Sequence, residues 1–199
     1  MTRRAPLLAC AAAIALGAVA CGGGGGGGGG SQASFSTSDL SALVLKASEA
    51  PKGLEYSKRD SGRGALEKVN GEASVAQLRQ YGLEGDQVSK FLSTGKAGGA
   101  VFAEAIALVF KNTSGAERAL ALSKQQASGG RTKAISAEGL GDQAWGRHGS
   151  FFSANAPDTY FYAWRIDNAV QSLILSGTVS EREARDLADE LAKRGRAAA

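Results

Sequence analysis

Cysteine is nearly missing from this chain. Two occur in 199 residues, Cys10 and Cys21, and none lies beyond position 21. That excludes a disulfide framework for the body of the chain, and with it a multi-Cys or Cys/His metal site. Histidine occurs once, at His148, and methionine once, at Met1. Long apolar runs are also scarce: one exists, at the N-terminus, so a polytopic membrane protein is excluded. No Gly-x-Ser-x-Gly elbow is present, and neither Thr94-Gly95-Lys96 nor Gly139-Leu140-Gly141-Asp142 has the spacing of a phosphate loop. Both read as turns, and no cofactor is expected.

What the chain does contain begins with an ordered leader. Met1 to Arg4 is short and positive, Ala5 to Ala20 is apolar and uncharged, and small residues Ala18 and Ala20 precede Cys21. Positive, apolar, small is the order of a secretory signal peptide. The apolar stretch is short for a spanning helix, and polyglycine follows it in place of a basic flank. Thr2-Arg3-Arg4 with Leu7 also resembles a twin-arginine export signal, with Pro6 where an aromatic is preferred; ordinary leader charge is the preferred reading, and the export route stays open.

Ala18-Val19-Ala20-Cys21 resembles a bacterial lipobox, with Ala18 where leucine is usual. The resemblance implies cleavage between Ala20 and Cys21, a diacylglyceryl group on the Cys21 thiol, and a fatty acid such as palmitate on the new N-terminus. Leu7-Leu8-Ala9-Cys10 fits the four-residue pattern too. It would leave only Ala5 to Ala9 as the apolar region, too little for export.

Each buried methylene contributes roughly 0.8 kcal/mol, so two or three chains on one Cys hold a protein at a bilayer. Gly22 to Gly30 and the polar Ser31 to Ser38 read as a flexible tether spanning on the order of 23 Å. The expected layout is a signal peptide at 1–20, a lipidated Cys and tether at 21–38, and one extracytoplasmic domain at 39–196. The membrane is then the first partner, and the location is the extracytoplasmic side of a cell membrane. Losing Arg3 and Arg4 with the leader reduces 23 basic residues to 21, against 19 acidic ones. So small an excess, without a large basic cluster, gives no reason to expect nucleic acid.

Hydrophobic periodicity predicts a short helix over 39–50 capped by Ser38, a strand over 54–60, a helix over 74–81 and a strand over 87–93. Ala100 to Phe110, long and apolar, reads as a central strand. Ser114-x-x-Glu117 reads as a capping box opening a helix to about Ala127. A strand follows at 132–136. Then 143–153, 159–167 and 169–177 read as an antiparallel meander with turns at 155–158 and at Asp167-Asn168. Ser180-x-x-Glu183 opens a last helix with Ala184, Leu187, Ala188 and Leu191 on its apolar side. The fold class is α+β: an antiparallel sheet of about five to seven strands with helices packed against it.

The element order, with Gly139 to Trp145 leading into the meander and a final amphipathic helix, resembles extracytoplasmic lipoprotein and sensor-type domains, some with folds of the PsbP/Mog1 type. That resemblance implies no activity.

Three features carry candidate chemistry. Tyr160, Tyr162 and Trp164 share one strand face, a stripe that forms core in most proteins and in fewer lines a pocket for an apolar ligand or sugar ring. Trp145 belongs to the same aromatic group. Glu104 and Arg165 are charges inside apolar strands; each has either a wet face or a partner, and a Glu104–Arg165 pair would satisfy both. His148 is the lone candidate base, so a tethered envelope hydrolase is the alternative function. The preferred expectation is a non-catalytic module binding a ligand or an envelope protein.

Overall fold

A computed structural model describes residues 34–95, 99–129, 131–151 and 157–199. The expected leader, the expected Ala20–Cys21 cleavage point, Cys21 and the glycine run lie outside the described residues, as do Phe152 and part of the expected 155–158 turn.

Eight strands form one antiparallel sheet: β1 Leu54–Tyr56, β2 Gly62–Arg63, β3 Leu83–Ser93, β4 Ala100–Phe110, β5 Arg131–Ile135, β6 Gln143–Ser150, β7 Thr159–Ile166 and β8 Ala169–Gly177. The order is β1-β3-β4-β8-β7-β6-β5, and the two-residue β2 pairs with β3 beside that path. Among the described residues four α-helices accompany the sheet: α1 Leu66–Asn70, α2 Glu72–Gln80, α3 Thr113–Gln126 and α4 Glu181–Ala198. Among the described residues no helix is long and apolar enough to cross a membrane.

Both sheet faces are covered, which is why β4 and β7 read as nearly continuous apolar runs. One face carries Ala103, Ala105, Ala107 and Val109 of β4 with Tyr160, Tyr162, Trp164 and Ile166 of β7, and packs against α4 and the segment from Phe35 to Leu45. Small residues on β4 leave room for the large rings two strands away. The opposite face carries Ile106, Leu108, Phe110, Ala163, Val170 and Trp145, and packs against α1, α2 and α3. The main chain of α3 comes so close to α2 that a Cβ at Gly115 would strike the carbonyl of Tyr81. Gly195 likewise lets α4 settle onto Gln171.

Four expectations need correction. The segment 39–50 is not one α-helix but two short 3-10 helices, Asp39–Ala42 and Ala47–Glu49; Ser38 stands at the N-cap of the first without a side-chain cap bond. Leu43, Val44 and Leu45 are all buried, and a helix at a protein surface buries one stripe, not three consecutive residues. The N-cap of α3 is Asn112, whose side chain accepts from the Gly115 N–H at 2.9 Å; Glu117 turns instead toward Arg165. The folded body starts before residue 39: Phe35 is 3% exposed in the core, and its N–H and C=O bond the Asn168 side chain at 2.9 Å each. Finally, β2 and α1 stand between 60 and 74, where no element was expected. The first N–H of α1, on Leu66, is satisfied from outside the helix by the Asp86 carboxylate.

The last helix opens as expected. Ser180 accepts from the Glu183 N–H, and the Glu183 carboxylate accepts from the Ser180 N–H and hydroxyl. Those two donors hold the Glu183 carboxyl below its ordinary pKa.

Candidate functional site

The aromatic stripe is filled. Tyr162 and Trp164 are both 0% exposed beneath α4. The Trp164 indole N–H donates to Gln171 Oε1 at 2.9 Å. Burial, with the nearby Glu181 charge adding to it, pushes the Tyr162 phenol up to about 12, and its hydroxyl has no partner among the described residues. The pleat separates Trp145 from this group: it faces the α3 side, edge-on to Phe161 with ring centroids 4.7 Å apart.

The Glu104–Arg165 pair does not form. Glu104 lies level with Ile174 and Phe161, whereas Arg165 lies level with Val170 and Leu108, further along the sheet. Glu104 is 6% exposed, and its carboxylate faces the Lys90 ammonium on the adjacent strand at 3.7 Å. Burial raises its pKa, and Lys90 opposes that rise only in part. Arg165 donates to Asp142 at 3.1 Å and to the Asp167 carbonyl at 2.8 Å, with Glu117 at 3.8 Å. The Asp167 carboxyl is lowered: burial raises it, but hydroxyl donors from Ser34 and Thr113 outweigh that.

Among the described residues, two cavities border the candidate residues. The first, about 420 Å³, lies where β5 ends. Ile135 pairs with Gly146, and then the chain turns away through 136–142, leaving 143–145 of β6 without a β5 neighbour. Trp145, Ile135, Ala134 and Ala144 supply its apolar lining; Lys124, Arg147, Gln143, Glu138 and Asp142 supply the polar part. The 136–142 wall is held from behind by α4. Arg185 donates to the carbonyls of Ser136 and Glu138, and Arg196 to those of Gly139 and Leu140.

The second cavity, about 780 Å³, is lined by Val101, His148, Asp158, Tyr160, Val179, Ser180 and Glu183 among others. His148 stacks on Tyr160 with centroids 4.2 Å apart, and its Nε2 is 3.8 Å from Asp158. Burial, then the Glu181 and Asp158 charges, raise the Tyr160 phenol. Ser180, the serine in this lining, has its hydroxyl engaged with Glu183. Among the described residues no group of three or more His, Cys, Asp or Glu side chains could hold a metal ion.

Of the residues singled out from the sequence, Trp145 and Tyr160 therefore line cavities, separate ones. Tyr162 and Trp164 form core, and Glu104 and Arg165 are paired elsewhere. Lys124, Ile135 and Arg147 were not singled out. Each is ordinary in its own helix or strand, and what assembles them is the end of a strand pairing.

The class defined here is an antiparallel α+β sheet with helices on both faces. The extracellular domain of PknH from Mycobacterium tuberculosis shares it: the TM-score is 0.55 at 13% identity, over 81% of this chain and 97% of that one. At that identity the likeness is one of fold. No family model and no curated protein matches the chain.

Proposed function

We propose that this chain is an extracytoplasmic lipoprotein: a non-catalytic binding module tethered to a membrane through acyl chains on Cys21. The observation that carries the reading is the lipobox-like Ala18-Val19-Ala20-Cys21 after a stretch ordered like a signal peptide. Polyglycine follows it, and Phe35 already lies in the packed core. A fold shared with an extracellular domain is compatible with that location.

The binding role rests on what surrounds the candidate groups. His148 has an aromatic stack and a carboxylate at 3.8 Å, and the serine of its cavity is committed to a helix cap. That arrangement favours recognition over hydrolysis. Fractionation of cells expressing the full chain tests the anchor: wild type is expected in the membrane fraction, and Cys21→Ser as an uncleaved, unacylated precursor. Globomycin should leave wild type uncleaved but already carrying the diacylglyceryl group. A Cys21→Ser chain processed and retained like wild type would refute the anchor.

A further inference from the structure

The cavity at the start of α4 gathers its lining on one face of the sheet. His148 of β6 and Tyr160 of β7 are register partners, so their side chains project from the same face, the one that α4 covers. Asp158 immediately precedes β7, and its carbonyl accepts from the Gly177 N–H at the end of β8. From Gly177 the chain runs through Val179 and Ser180 into the first turn of α4, which brings Glu183 to the same cavity. Val101, at the β4 bulge and 42% exposed, adds a second apolar side chain beside Val179. The volume, about 780 Å³, falls in the range of small-molecule pockets.

This lining holds a polar group without a partner. Tyr160 is 7% exposed, yet its hydroxyl makes no hydrogen bond among the described residues and, unlike that of Tyr162, is not sealed from solvent. Buried polar groups are nearly always paired in folded proteins, so this hydroxyl marks a place for a partner from outside the chain. Glu181 and Asp158 are the charges that act on it.

The surrounding charges have one sign. Asp158 and Glu183 line the cavity, and among the described residues neither has a Lys or Arg partner. Asp158 faces only His148, at 3.8 Å, and an imidazole carries charge only when protonated. Glu183 accepts from the Ser180 N–H and hydroxyl through Oε2, which leaves Oε1 free. Lys133, level with His148 on the edge strand, is exposed and outside the lining. A helix N-terminus alone would favour an anion, but Glu181 and Glu183 both stand in this first turn, and the Glu183 N–H is capped by Ser180.

We propose that this cavity binds a small organic amine, as its ammonium ion, with an apolar body. The ammonium meets Asp158 and Glu183 and donates to the Tyr160 hydroxyl, and the apolar body lies against Val101 and Val179. The inference rests on the binding-module reading, which it deepens, and does not depend on the anchor.

His148, beside Asp158, is the sole histidine of the chain, so its ring protons give one reporter in proton NMR. The sample is the full acylated chain in neutral detergent micelles, without a histidine tag. Benzylamine is the probe, at a pH of about 8, where amines stay protonated and free imidazole is neutral. Benzoate and benzyl alcohol are the controls, with opposite charge and with none. Benzylamine should shift the His148 resonances saturably. Benzoate should leave them in place, and benzyl alcohol should bind at least about tenfold more weakly. Asp158→Asn combined with Glu183→Gln, which keeps a capping side chain, should weaken benzylamine by about tenfold or more. Tyr160→Phe should weaken it by about threefold or more. His148 resonances unmoved by benzylamine, or moved as readily by benzoate, or either variant binding like wild type, would overturn the site. None of those results bears on acylation, and a chain found unacylated would leave this site standing.

Discussion

Trp164 and Gln171 face each other across the β7–β8 pair, and the indole N–H of one donates to the side-chain oxygen of the other at 2.9 Å. The amide nitrogen of the same Gln171 donates to the carbonyl of Leu43 at 2.7 Å and reaches that of Leu191 at 3.4 Å. One buried amide thus ties the central strands to both elements that cover this face, the N-terminal segment and α4. Gln171→Ala is expected to destabilise the protein by roughly 2–4 kcal/mol, because buried polar groups lose their partners. Ser172→Ala, next in the chain on the opposite face, should stay within about 0.5 kcal/mol of wild type. Urea unfolding midpoints check both.

Asn168 plays the matching part at the start of the body. It bonds both main-chain groups of Phe35, and its Nδ2 also donates to the Phe110 carbonyl at 2.7 Å. Asn168→Ala should cost roughly 2–3 kcal/mol and detach the beginning of the chain. Hydrogen exchange read by mass spectrometry should show lost protection from Phe35 to Leu45 before any loss in β7. Unchanged protection there would mean that Phe35 is held by packing alone.

The β6–β8 meander, the central β4 and the α4 capping box were legible in the sequence, because local pattern and tertiary position agree there. Turn residues separate the strands, and Ser180 and Glu183 cap from within one turn of helix. The N-terminal segment was not legible. Its Leu40, Leu43 and Val44 have helical spacing, but the sheet face beneath also takes Leu45. The start of α3 misled because Asn112 and Ser114 are both good caps, and only Asn112 makes the bond. The cavity beside Trp145 was illegible for another reason. It depends on β5 stopping at Ile135 while β6 continues, a register fact that no local motif encodes.

The competing caps give a direct comparison. Asn112→Ala should lower stability by about 1 kcal/mol, whereas Ser114→Ala should change it by only a few tenths. Thermal unfolding of the two variants under one condition decides which residue opens α3. Equal losses would contradict the Asn112 bond.

Glu104 sets a pH dependence. Burial raises its pKa in the folded chain above the ordinary carboxylate value, so the folded state binds its proton more tightly than the unfolded chain does. The stability this contributes is fully present below the unfolded value and fades as pH rises through the folded one. Glu104→Gln, which stays neutral, should therefore gain stability relative to wild type as pH climbs from about 4 toward neutrality. Denaturation of both proteins across that range gives the slope. A flat or reversed difference would mean that Lys90 fully compensates the burial.

The anchor is tested most directly by the intact mass of the protein extracted from membranes of cells expressing the full chain. The account predicts a chain beginning at Cys21 and carrying a diacylglyceryl group, with a further fatty acid on its N-terminus. A mature chain with no acyl group, recovered from the soluble fraction, would contradict it.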